Sequence, residues 1–225
     1  MGAIVNSAVI IIASLIGLVI GQRIPERFNT SIMQGIGLVV LTIGISGAIK
    51  GEDTLVLILS MVFGIIIGEM LKIDYRVNRL VNQLTTRMKH QENNNQISEA
   101  FLTATMLFCI GSLAIIGSLE SGLTGDNSML YMKSVLDGIS SLLFSSTLGI
   151  GVMLSSVPVL IYQGGLILFA QLLAPLLNDA VILEMTTVGS VLLIGMGLNM
   201  LGITEFKIMN FVPAIFIPII ILSFL

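Results

Sequence analysis

The sequence predicts an all-α integral membrane protein of about eight transmembrane helices, arranged as inverted three-helix repeats flanking two central, broken helices. Three observations carry that prediction. Hydrophobic residues make up 55% of the 225 and charged residues 10%, against about 25% charged in soluble domains, and the mean hydropathy is +1.04. So few charges cannot cover a water-facing surface. The apolar residues gather into runs of bilayer length, and parts of the first third recur in the last third at a nearly constant offset.

A span needs about 20 mostly apolar residues. Runs 3–21, 33–49, 54–71, 181–202 and 207–225 qualify directly. Run 99–119 also qualifies, with Gly111, Ser112, Gly117 and Ser118 in its second half. The stretch 134–174 is too long for one span. It divides at Ser155-Ser156-Val157-Pro158 into 135–154 and 157–174, because the residue before a proline resists the α region. The count is seven if 99–119 or 135–154 is re-entrant. In chain order, 1–71 is a first three-span repeat, 72–98 a cytoplasmic amphipathic helix and loop, 99–154 the two central spans, and 155–225 a second three-span repeat.

No positive charge precedes Ala3–Ile20, while Arg23 and Arg27 follow it, the reverse of a cleaved signal. The first span is therefore expected to be retained. With the N-terminus outside, the inner loops hold Arg23, Arg27, Lys72, Arg76, Arg79, Arg87, Lys89 and Lys207, eight of the ten basic residues. Lys50 and Lys133 fall outside. That bias fits a multi-pass plasma-membrane chain with both termini outside. In the long inner loop, Ile73, Val77, Leu80, Val81, Leu84 and Met88 follow helical spacing among basic residues. Such a helix lies on the inner leaflet or packs beneath the bundle. Gln91–Gln96 reads as a solvated turn.

The repeat rests on offsets. Gly37 falls on Gly189 at 152, Gly2-Ala-Ile-Val-Asn-Ser on Gly151-Val-Met-Leu-Ser-Ser at 149, and Pro25 on Pro175 at 150. Phe63-Gly-Ile-Ile-Ile-Gly echoes Ala214-Ile-Phe-Ile-Pro. Two intervening spans make the second unit enter from the opposite face, the architecture of many secondary transporters; one intervening span would make the repeats parallel.

Polar content concentrates in the middle of the chain. Ser140, Ser141, Ser145, Ser146 and Thr147 place five hydroxyls in eight positions. Such hydroxyls satisfy backbone freed at a helix break, or line a polar path. Glu120 and Asp137 lie near predicted span ends. A carboxylate at membrane depth is costly and reads as functional, whereas near the interface it is cheap. Asp126 reads as a capping residue of the outer loop. Asn6, Gln163 and Asn199 are expected as buried amides that bond between helices or contact a solute. The candidate pathway is thus Glu120, Asp137, Ser118, Ser140, Ser141, Ser145, Thr147, Gln163, Asn199 and Asn6, with helix breaks at Gly117, Gly149, Gly151, Gly164 and Gly165. Ala13, Gly17 and Gly21, and Gly64 with Gly68, mark faces for close helix contact.

Other functions find little support. A net charge of −3 gives no basic field for nucleic acid. Cys109 is the only cysteine, so neither an intrachain disulfide nor a thiolate metal site is available, and it reads as a packing residue. His90, the only histidine, sits in the polar loop, which excludes a Ser-His pair in the membrane. Gly125-Asp126 has no second intramembrane Asp in a protease motif. The chain is not expected to be an enzyme, and neither a metal nor a cofactor is expected.

Gly117-Ser-Leu-Glu-Ser-Gly-Leu-Thr-Gly-Asp126, Lys133-Ser-Val-Leu-Asp-Gly138, Ser146-Thr-Leu-Gly-Ile-Gly151, Pro158-Val-Leu-Ile-Tyr-Gln-Gly-Gly165 and the opening Gly2-Ala-Ile-Val-Asn-Ser resemble the YdfK/YqgA-like family of bacterial membrane proteins of unknown function, over essentially the whole chain. The resemblance implies a plasma-membrane location and points to transport. It supplies no substrate and no functional residue. The expectation is a small transporter or channel for a polar solute or cation, working in the lipid bilayer as a homo-oligomer. The alternative is a non-transporting assembly or regulatory subunit.

Overall fold

A computed structural model describes residues 1–21, 26–77, 79, 94–110 and 112–223, and every described element is helical. In chain order these are α1 (Gly2–Gly21), α2 (Glu26–Ala48), α3 (Thr54–Leu71), α4 (Asn94–Cys109), α5 (Ser112–Thr124), α6 (Ser128–Leu148), α7 (Gly151–Leu154), α8 (Ser156–Leu168), α9 (Ala170–Leu173), α10 (Asp179–Met200), a 3₁₀ helix (Ile208–Phe216) and α11 (Ile217–Ser223). Four stretches are long and apolar enough to cross a bilayer: Gly2–Gly21, Thr54–Leu71, Gly151–Leu168 and Asp179–Met200. Ile97–Cys109 and Leu113–Thr124 make a fifth if their 58° bend belongs to one broken span. Gln34–Ala48 and Ile208–Ser223 are shorter apolar helical stretches. The protein is thus an all-helical membrane protein with four to five candidate spans.

The chain forms two interleaved units, Met1–Met33 with His90–Pro175, and Gln34–Lys89 with Leu176–Leu225. They cut across the linear division read from the sequence. In the first unit α1 packs along α6. Gly2 lies against Asn127 and Leu130, Val9 against Gly138, Gly17 against Leu142 and Ser145, and Gly21 against Ser146. Both numbers rise together, so the two helices run parallel. A Cβ on Gly138 would stand 2.6 Å from Val9 Cγ1. The contact therefore depends on small residues, which let helices approach where burial from water gives no drive. The opposite face of α1, with Ile4, Ile12, Leu15 and Val19, is exposed.

In the second unit α10 is the interior helix, with 72% of its apolar window buried. It runs antiparallel to α2: Gly37 meets Met200, Gly44 meets Ile194, and Gly51 meets Thr187. Gly64 and Gly68 of α3 lie against Ala214 and Asn210, the close approach that their spacing predicts. Asp53 caps α3 by accepting from the N–H groups of Leu55 (2.9 Å) and Val56 (3.2 Å). The predicted last span, 207–225, begins instead as a nine-residue 3₁₀ helix containing Pro213. A proline lacks an N–H and clashes with the carbonyl four residues back, so an α-helix is disfavoured there.

Breaks fall away from several predicted positions. Gly117, Gly164 and Gly165 lie inside continuous helix. Gly149 does end α6, at φ +81°, and Gly151 starts α7. The break predicted at Ser155–Pro158 is only a junction at Ser155, where α7 passes into α8. Pro158 occupies the first turn, where no helical partner for its N–H is missing. The turn placed at Gln91–Gln96 is already helix from Asn94. Most of the amphipathic segment 72–98 lies outside the described residues, and Ile73–Val77 is helical.

Candidate functional site

Several buried polar residues of the first unit meet along one face of α6. Lys133, Ser134, Asp137, Ser141 and Ser145 are buried on this face, one helical turn after another. Asn6 projects from the matching face of α1, and Gln163 from α8.

Lys133 Nζ donates to both carboxylate oxygens of Asp137, at 2.8 Å to Oδ1 and 2.6 Å to Oδ2. The i,i+4 spacing sets the two side chains over each other on the helix. Asn6 Nδ2 donates to Asp137 Oδ2 at 2.9 Å and to Gln163 Oε1 at 3.2 Å. Lys133 and Asp137 are each 6% exposed, and Asn6 and Gln163 are fully enclosed. An isolated charge is very costly in such surroundings, and opposite charges in contact with further hydrogen bonds offset that cost. The network is electrically neutral and ties three helices together.

Its hydrogen bonding is incomplete. Asn6 Oδ1, Gln163 Nε2 and Ser141 Oγ are buried without a partner. Buried polar atoms are nearly always paired, so each unpaired one calls for an explanation. Ser118 and Ser14 are also enclosed with unpaired hydroxyls, and Glu120 has a buried, unpaired Oε2. Two acceptors, one donor and several hydroxyls are thus buried without partners among the described residues of the first unit.

The remaining predicted residues do local work or stand apart. Ser145 and Thr147 bond to carbonyls of their own helix, and Ser140 is half-buried. Glu120 is half-buried in α5, and its carbonyl accepts from Thr124 at 2.8 Å. Asn199 belongs to the second unit. Its Oδ1 accepts from Thr204 and from the Phe206 N–H, and its Nδ2 donates to the Phe206 carbonyl, which fixes the turn after α10. Exposed Asp126 accepts from the Ser128 hydroxyl at 2.6 Å and the Ser128 N–H at 2.9 Å. The hydroxyl first, and then the N–H, hold its carboxyl below the usual range.

Two residues escaped the sequence reading. Lys133 was assigned to an outer loop, but α6 begins at Ser128 and carries it inward. The spacing of Lys133 and Asp137 was the available signal. Glu184 is 3% exposed, and its Oε1 accepts from the N–H groups of Glu52 and Asp53, both at 3.0 Å. It lies in the second unit and holds the turn before α3.

Four to five candidate spans, with an ion pair enclosed among the helices of the first unit, define the class: a multi-span helical membrane protein. The chain belongs to the family described as "Protein of unknown function (DUF554)", whose model matches residues 1–223. It is 32% identical over 225 residues to the "Uncharacterized membrane protein YdfK" of Bacillus subtilis (strain 168), covering 98% of this chain and 95% of that one. It is 31% identical over 218 residues to the "Uncharacterized protein YqgA" of Escherichia coli (strain K12), covering 96% and 93%. No solved structure matches the chain.

Proposed function

We propose that this protein is a small secondary transporter of the bacterial plasma membrane, and that Lys133, Asp137, Asn6 and Gln163 form its solute site. The observation that carries the proposal is the enclosed, incompletely bonded polar network itself. A charge pair inside apolar helices is costly and persists where it has work to do. Unpaired donors and acceptors beside it are groups a polar solute can satisfy.

Local geometry supports the eight-span, inverted-repeat architecture. If α1 and α6 both span, their parallel course requires an odd number of crossings between them, and the three predicted (33–49, 54–71 and 99–119) meet that condition. When two elements related by an in-plane twofold axis pack together, equivalent residues meet and the directions reverse. Ser7 donates to the carbonyl of Ser156, its mate at offset 149. Gly64 touches Ala214, in the segment that its own run echoes. The α2–α10 pair is antiparallel. Removing Lys133 from the outer loops also leaves Lys50 as the one basic residue there, which strengthens the bias for an N-terminus outside.

The test is flux in liposomes containing the purified chain, against a panel of labelled polar solutes and cations. The expected result is uptake above that of protein-free vesicles, with net uptake lost in Asp137→Asn. A panel with no flux for the wild type counts against transport and leaves the subunit role.

A further inference from the structure

We infer that the Lys133–Asp137 site takes up a small carboxylate together with one proton. The inference rests on the transport proposal and deepens it by naming the solute class. Its basis is charge balance. The pair is neutral as it stands, and burial penalises any net charge at that place. Protonating Asp137 alone would leave the Lys133 ammonium enclosed without a counter-ion. Seating an anion alone would leave one negative charge in excess. Both together keep the site neutral: the proton goes to the Asp137 carboxylate, and the incoming carboxylate replaces it on Lys133. The solute and its proton therefore enter as a unit, and the cycle moves no net charge.

The hydrogen-bonding groups select a carboxylate over other anions. Lys133 Nζ and Asn6 Nδ2 already hold one carboxylate, that of Asp137, at 2.6–2.9 Å. A solute carboxylate meets the same donors once Asp137 is neutral. Gln163 Nε2, buried and unpaired, supplies a further donor. Asn6 Oδ1 is a buried, unpaired acceptor, and Ser141 lies one turn along α6 from Asp137. These two suit the proton now on Asp137 and a hydroxyl on the solute. A short hydroxy acid fits this set better than an alkyl acid.

Among the described residues, few titratable groups face the pair. Lys133 shares its helix; Asn6 and Gln163, from α1 and α8, carry no charge. Cys109 of α4 is within electrostatic reach of both members, and Tyr162 of α8 is within reach of Cys109. Among these, Asp137 is the group placed to take up the proton.

The experiment uses full-length protein in liposomes enclosing a pH-sensitive dye, with glycerate added outside as a probe of low passive permeability. The expected result is internal acidification several-fold faster than in protein-free vesicles, unchanged when valinomycin and potassium clamp the membrane potential. Asp137→Asn mimics the protonated site and should keep exchange of labelled glycerate for glycerate while losing net uptake and acidification. Lys133→Met should lose both. Glycerate uptake without acidification, or acidification that follows the membrane potential, overturns the inference. Uptake of neutral or cationic solutes with no response to glycerate also overturns it but leaves the transport proposal standing. No flux of any solute removes both. If the variants do not yield monodisperse protein, the wild-type dye measurement decides alone.

Discussion

The two units differ in where their longest-range polar side-chain bonds go. In the first, side chains bond to side chains in mid-helix: Lys133 to Asp137, and Asn6 to both Asp137 and Gln163. In the second, they bond to backbone at helix ends. Glu184 holds the N–H groups before α3, Asn210 accepts from the Asp74 N–H at 2.8 Å, and Asn199 clamps the turn after α10. A side chain that anchors backbone completes a structure. A network of side chains around an ion pair leaves donors and acceptors that the backbone does not use. What a buried polar residue bonds to is therefore more informative than its burial.

The sharpest way to break this comparison is to divide the ion pair. Lys133→Met leaves the Asp137 carboxylate enclosed and uncompensated, and should destabilise the protein by about 3–5 kcal/mol. Lys133→Met combined with Asp137→Leu should recover most of that loss, since an apolar replacement of a buried pair is often neutral. Thermal denaturation in detergent of the two singles and the double measures the coupling. If the losses simply add, the pair is not buried as described.

Helix packing comes next. Gly17 lies against Leu142 and Ser145 with no room for a side chain. Gly17→Val should cost about 1–3 kcal/mol through overpacking, read as a lower melting temperature. Exposed Gly125, with nothing near its Cβ position, also has positive φ, so the better control is Gly164→Ala, in open helix, which should be neutral or slightly stabilising.

Removing a backbone anchor should have an effect of similar size but a different character. Glu184→Ala leaves the N–H groups of Glu52 and Asp53 without their acceptor, at about 1–3 kcal/mol. The melting temperature should fall while the solute specificity of uptake stays as in the wild type. A changed specificity would place Glu184 on the solute path and erase the distinction between the units.

Much of this was readable in the residues. Hydropathy placed the first, third and seventh spans within a few residues of their helices, and the cost of a membrane carboxylate singled out Asp137. Asn6 and Gln163 stood out as amides in apolar runs. Lys133 did not, because dividing 134–174 at Ser155–Pro158 starts the fifth span at 135 and leaves Lys133 outside it. The lysine is buried because its partner, Asp137, sits one turn away. The predicted breaks at Gly117, Gly164 and Gly165 do not occur, because each lies inside a helix. Paired glycines weaken an isolated helix, but Gly164 and Gly165 are held within α8. Gly149, with φ +81°, does end α6 where the sequence placed a break, and Gly151 starts α7.

The smallest expected effect separates structure from function most cleanly, because two buried serines can be compared directly. Ser141 Oγ in the first unit and Ser60 Oγ in the second are both enclosed and unpaired. An unpaired buried hydroxyl contributes no stability, so either serine changed to alanine should shift it by no more than about 1 kcal/mol, in the stabilising direction. Flux should tell them apart. Ser141 shares a face with Asp137, and its loss should lower net uptake in liposomes. Ser60 lies in the second unit, which does not contain the ion pair, and its loss should leave uptake unchanged. Equal behaviour of the two variants would mean that the unpaired hydroxyls of the first unit are packing residues, and that any solute is held by the ion pair and its amides alone.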